Sequence, residues 1–291
     1  MKTLICSSKS TLVLFLIVCL GFQGVSQDMT PYIIYNAKGK KVSYKKMLKQ
    51  LEKQDVIFFG EQHNNPIAHW LQYEVTRALH NKRDLILGAE MIEADNQEAL
   101  DNYLKGTIDQ KAFDTLARLW KNYPTDYAPL VDFAKQHELK FIGTNIPRRY
   151  ANQVYKNGFE VLESLTPTEK SWIASLPIPF DPELPRYVNI LSMMGDHGTP
   201  NLVKSQASKD ATMAHFIAKN HSDGELFIHY NGAYHSDFFE GILWYLNKLK
   251  PEYRVITIST VEQADISKLS KDHFGQADFI ICVDSHMTKT Y

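Results

Sequence analysis

The chain has 291 residues, 44% of them hydrophobic and 22% charged, a balance that excludes disordered and fibrous classes and is enough to bury a core. Its 32 Lys and Arg face 33 Asp and Glu. No overall basic excess speaks for nucleic acid, and no run of five Lys or Arg occurs.

The first 26 residues read as a secretory signal peptide. Lys2 and Lys9 give a positive start, and residues 12–20 (LVLFLIVCL) are apolar but short for a bilayer span. Gly24 and Ser26 suit cleavage before Gln27. Cys19 offers lipid anchoring as an alternative, although Val18 stands where a lipoprotein signal carries a small residue. Removing the segment takes two lysines and no acid, so the net charge moves from -1 to -3. Cys6 and Cys19 leave with it. Cys282 then stands alone and no intrachain disulfide can form. The reading is an exported protein of a bacterial periplasm or cell envelope.

From residue 27 onward the sequence predicts one domain. Buried strands are expected over residues 55–59 (DVIFF), 85–89 (LILGA), 140–144 (KFIGT), 225–230 (ELFIHY), 254–258 (RVITI) and 278–283 (DFIICV). Helical patterns fall between them at 43–53, 66–81, 95–105, 110–121, 127–137, 147–157, 205–220 and 235–249. Strand alternating with helix implies an α/β fold, a mainly parallel sheet with helices on both faces. Residues 158–205 break the rhythm with Pro167, Pro177, Pro179, Pro182, Pro185 and Pro200. This stretch is expected to be a helical and loop insertion, either a lid or dimer contact or an irregular connection.

The chemistry-bearing residues gather where strands are expected to end. Gly60 permits a sharp turn, Glu61 and His63 follow it, and Asn65-Pro66 starts a helix carrying His69 and Gln72 on one face. Open α/β sheets place ligands at this edge. A second Gly-x-x-His, Gly232 to His235, follows another strand. Glu90 stands at a third strand end, and Asn145 and Arg148 at a fourth, where an arginine suits a carboxylate or oxyanion. If the two strands are neighbours, His63 and His235 face one pocket. Glu61, His63 and His235 could then hold a divalent metal with Glu90 as base, or the acids and imidazoles could activate water directly. Neither H-E-x-x-H nor G-x-S-x-G occurs.

Seven segments, in order, carry a family resemblance: GEQHNNPIAHWLQ, GAEM, DNQEALDNYLKG, YAPLVDFAK, NIPRR, SKDATMAHFI and NGAYH. They resemble those of the ChaN-type, iron-regulated haem-binding uptake proteins over roughly residues 50–260. That family is similar to the wider Tiki, TraB and erythromycin-esterase group, marked by paired Gly-x-x-His turns, strand-end glutamates and an arginine. Here those are His63, His235, Glu61, Glu90 and Arg148. The resemblance implies an α/β core, export, and haem bound for iron acquisition, with an outer-membrane receptor or a second copy as partners. In the wider group it implies a hydrolase, metal-dependent or acid–base, acting on esters or peptides. The chain departs from the family in the poor context of Cys19 and in residues 177–200. Haem needs an apolar slot, an axial ligand and cations for its propionates. Tyr150, Tyr187, Met193, Met194 and His197 are the ligand candidates, and Arg148 and Arg149 the propionate partners. The lack of C-x-x-C-H excludes covalent attachment.

Overall fold

The structure is a computed structural model that describes residues 30–195 and 198–291. The signal peptide over 1–26, the Cys19 alternative and the ligand candidate His197 therefore lie outside the described residues.

One seven-stranded sheet organises residues 31–291. Its strands are β1 (Tyr32–Asn36), β2 (Val56–Glu61), β3 (Leu85–Glu93), β4 (Lys140–Asn145), β5 (Leu226–Gly232), β6 (Val255–Gln263) and β7 (Phe279–Asp284), in the order β1-β7-β6-β2-β5-β3-β4. Only β1 runs antiparallel, against β7; every other pairing is parallel. The mainly parallel sheet expected from the sequence is present. β1 was not expected: it is a half-buried edge strand with little alternation to mark it.

β2 lies at the centre and is buried throughout. Successive side chains serve opposite faces. Val56 and Phe58 join Ile86 and Phe227 in one layer, while Ile57 and Phe59 join Leu87, Ile228 and Tyr230 in the other. Each such side chain contributes on the order of 1.5–3 kcal/mol by leaving water. The helices are α1 (Tyr44–Leu51), α2 (Pro66–His80), α3 (Gln97–Leu104), α4 (Gln110–Leu116), α5 (Ala128–Gln136), α6 (Arg148–Asn157), α7 (Pro167–Lys170), α8 (Pro185–Met194), α9 (Pro200–Asn220) and α10 (Ile242–Leu249). Leu71, Val75 and Leu79 of α2 and Leu130 and Val131 of α5 cover the Ile57 face. Val154 of α6, Ala207, Ala211 and Ala214 of α9 and Leu246 of α10 cover the other. The small residues of α9 let it approach β4 and α6 closely.

Two helical expectations shorten. α4 stops at Leu116. The 235–249 pattern is helical only from Ile242, because residues 233–239 form two 3-10 turns with Phe238 and Phe239 in the left-handed region (φ 59° and 62°). The proline-rich insertion holds α7 and α8 and passes directly into α9.

Within the sheet, His229 of β5 reaches over Gly88 of β3 to Thr144 of β4 (Nε2 to Oγ1, 2.8 Å). A side chain at 88 would collide with the Phe227 ring at 2.7 Å and press Thr144. Asn231 Oδ1 lies 3.1 Å from the other ring nitrogen. Burial pushes the His229 pKa down to about 4, against the pull of Asn231 and Glu90. The folded state thus keeps this imidazole neutral while the unfolded chain protonates it near 6.5. Its contribution to stability is complete above pH 6.5 and is lost as pH falls towards 4, by about 2–3 kcal/mol. Urea unfolding of the wild type and His229→Gln at stepwise pH should show a stability gap that shrinks over that window; a constant gap would count against a neutral His229.

Candidate functional site

The two Gly-x-x-His turns are adjacent, because β2 and β5 pair directly and Glu61 stands opposite Gly232. Their glycines are what permits this. A Cβ on Gly60 would lie 2.9 Å from the Ala233 Cα, and one on Gly232 would lie 2.8 Å from His63 Nε2. Each turn therefore sits in space the other leaves. Together they floor a cleft of about 1220 Å³ at the carboxyl ends of the strands.

Glu61 is buried and fixed from three sides. Tyr127 Oη donates to Oε1 (2.7 Å), Gln72 Nε2 donates to Oε2 (2.6 Å), and His63 Nδ1 lies 2.8 Å from Oε1. Asn65 caps α2 by accepting from the backbone N–H of Ile67 and Ala68, which aims Gln72 and His69 back at the strand end. His69 Nε2 donates to the His63 carbonyl at 3.0 Å, and Asn122 donates to the same oxygen at 3.3 Å. His63 itself keeps a third of its side chain exposed to the cleft, with Trp120 edge-on at 4.9 Å. Burial lowers its affinity for a proton, but the hydrogen bond to Glu61 and the charge of Glu90 outweigh it, so its pKa is raised.

A second network lies beneath β5. His235 is held between two buried carboxylates, with Asp210 Oδ1 2.5 Å from Nδ1 and Glu90 Oε1 3.2 Å from Nε2. Glu90 is the first residue of β3 past its ladder with β5, and its Oε2 accepts from Gly232 N–H at 2.7 Å. Tyr187 Oη donates to Asp210 Oδ2 at 2.9 Å. Burial opposes charge on His235, yet Glu90 and Asp210 overcome it and push the pKa up to about 10. Burial would likewise raise Glu90, but His235 and His63 hold it well below the usual carboxylate range. Asp210 goes the other way, raised by burial despite His235. The physical picture is an imidazolium whose charge is balanced mainly by Glu90 (one proton shared tightly with Asp210).

The cleft thus unites Glu61, His63, Glu90, Arg148 and His235 as the sequence predicts, and Asn145 with them. The expected metal set of Glu61, His63 and His235 does not converge as ligands. Among the described residues no group of three or more His, Cys, Asp or Glu side chains is arranged to hold a metal ion. The reason is visible: Glu61 is taken by three partners, and both ring nitrogens of His235 face carboxylates. Three haem candidates sit elsewhere. Tyr150 is buried and donates to Glu169, Tyr187 is buried on Asp210, and Arg149 is paired with Asp95 and stacked on Tyr150. None of these three lines the cleft. Sequence reasoning missed Asp210, Tyr127 and Trp120. Asp210 carries a legible signal: it interrupts the apolar stripe Val203, Ala207, Ala211, Ala214 of α9.

The sequence profile of the family described as "Haem-binding uptake, Tiki superfamily, ChaN" matches residues 47–246. The chain belongs to that family. No curated protein matches it. Among solved structures, a ChaN of Campylobacter jejuni with cofacially bound haem is 19% identical, with 86% of this chain and 96% of that one covered at a TM-score of 0.64. A mutant erythromycin esterase, EreC, in its open conformation is 9% identical over 87% and 97% of the two chains, at a TM-score of 0.50. At such identities the likeness is one of fold.

The raised pKa of His235 means that its charged form stabilises the fold fully below pH 6.5, and that this contribution is lost as pH rises through about 10. Asp210→Asn removes one carboxylate, so an NMR titration of the His235 imidazole should show its pKa falling by at least about one unit. An unchanged midpoint would mean that Asp210 does not hold the charge.

Proposed function

We propose that this ChaN-family protein binds haem in the cleft between the two Gly-x-x-His turns, and that it does so outside the cytoplasm in the service of iron uptake. The observation that carries the reading is the cleft itself. Its volume of about 1220 Å³ exceeds the usual 300–1,000 Å³ of small-ligand and cofactor pockets, and so leaves room for a large flat tetrapyrrole. Ile190, Met193 and Met194 of α8 and Leu202 of α9 give it an apolar lip, faced by Leu119 and Trp120. Met193 and Met194 are exposed there. Lys121, Arg148 and Lys209 supply cations on the same walls, where propionates would pair.

These residues fit haem as cargo. The apolar lip would cover the ring faces and exclude water, and Arg148 would orient a propionate edge. His63 is the imidazole that the cleft offers to the iron. Its Nδ1 is tied to Glu61, an arrangement that fixes the ring and increases its basicity. Haem supplies the iron and its spectroscopic signature; the chain's own groups only bind and orient. Hydrolysis is the weaker reading. His235 and Glu90 are nearly enclosed and occupied with each other, and Glu61 has no oxygen free of a donor.

Titration of the purified protein with hemin should give a saturable Soret change. Arg148→Ala should weaken binding about tenfold, the worth of one charge-assisted contact, and His63→Ala should shift the Soret maximum. A wild-type titration that shows no saturable change would overturn the proposal. Export through residues 1–26 predicts a mature protein that starts at Gln27, which N-terminal sequencing from cell-envelope fractions checks; an uncleaved cytoplasmic chain would remove this half of the reading.

A further inference from the structure

Seven lysines crowd one stretch of the fold far from any role in the cleft. Lys38, Lys40 and Lys41 lie on the turn after β1, Lys45, Lys46 and Lys49 on α1, and Lys53 just beyond it; all seven are exposed. The turn is a defined scaffold. The Asn36 side chain accepts from the N–H groups of Lys38 and Lys40 (both 3.0 Å), and Val42 N–H donates to the Ile34 carbonyl at 2.8 Å. α1 follows at once, capped by Ser43, and turns Met47 and Leu51 into the core. Its lysines are left facing water.

Lys49 and Lys53 lie in the field of Glu52, but the other lysines gain little from one another. Lys45 and Lys49, and Lys49 and Lys53, stand four residues apart, a spacing that repels on a helix. The only acid between residues 31 and 54 is Glu52, and Lys82 binds it at 2.5 Å. Asp265 from the β6–β7 connection is the acid that lies in the field of Lys41. On a chain whose net charge is -1, such segregation needs another reason.

One exposed aromatic ring borders the lysine turn and another stands at the far end of β1. Phe274 is 41% exposed, and its ring lies directly over Gly39 of the lysine turn. Trp70 is 49% exposed and meets Tyr32 of β1 edge-on at 6.1 Å. Cations flanked by amphipathic rings suit a bilayer interface, where ammonium groups pair with phosphate and rings sit at headgroup depth. No described helix is long and apolar enough to cross a membrane.

We propose that the β1 turn and α1 form a docking surface for bilayers that carry anionic phospholipid headgroups. The argument is independent of haem binding. The test is co-sedimentation of the full chain with phosphatidylcholine vesicles, with and without about three-tenths phosphatidylglycerol, at about 0.05 and 0.5 M salt. Binding should rise at least about tenfold when the anionic lipid is present, and that increment should fall at high salt and be lost in the charge-reversed variant Lys40→Glu/Lys45→Glu/Lys46→Glu/Lys49→Glu. Any apolar attraction from residues 12–20 is common to both proteins and both vesicles. Unchanged hemin titration and circular dichroism would show that the variant folds. Equal binding to neutral vesicles, or a variant that binds as the wild type does, would overturn the proposal. So would a preference for duplex DNA over anionic vesicles, which would make nucleic acid the partner.

Discussion

The architecture depends on the mutual seating of two turns. β2 and β5 can end side by side only if Gly60 admits the Ala233 backbone and Gly232 admits the His63 ring. Backbone–ring contact at this distance leaves no room for a methyl group. Once it forms, four ionisable groups from three strands are confined to one floor, and their charges must be reconciled within it. Glu61 is satisfied by donors from α2 and the turn before α5, and Glu90 by the Gly232 N–H and His235.

The two networks have different characters. His63 keeps a third of its side chain exposed to the cleft, with Nδ1 anchored by Glu61 and Nε2 turned towards Gly232. His235 is enclosed between two carboxylates and acts as a buried positive charge. A lone imidazolium in that position would be strongly disfavoured by desolvation, and two lone carboxylates would be worse. The three together are tolerable because each offsets the others. The same coupling reaches the insertion: Tyr187 on α8 donates to Asp210, so the helix that carries Met193 and Met194 is tied to the charge beneath the cleft. The proline-rich stretch is thus more than a connection between α6 and α9.

Six of the seven strands and most helices were legible in the sequence, because strand cores such as DVIFF and helix starts such as Asn65-Pro66 are local signals. β1 was not, since its run of Tyr32 to Tyr35 is only four residues long and shows no alternation, a weak signal by itself. The 235–241 segment has helical composition, yet its backbone winds through positive φ at two phenylalanines to pass over the site. Tyr150 and Tyr187 illustrate the limit on ligand prediction. A tyrosine in an apolar stretch has the same sequence signature whether it faces a slot or a core, and both face the core.

The sequence by itself determined the parallel α/β class, the strand ends that bear chemistry, and the family. Periodicity, turn glycines and motif order are properties of the chain and need no partner to be read. Only the tertiary structure decided which acids meet which imidazoles. Asp210 comes from α9, 25 residues before His235, and Tyr127 lies 66 residues beyond Glu61. Such pairings are fixed by how helices pack across the sheet, and that packing sets burial. Burial in turn separates an imidazole open to the cleft from one locked in place.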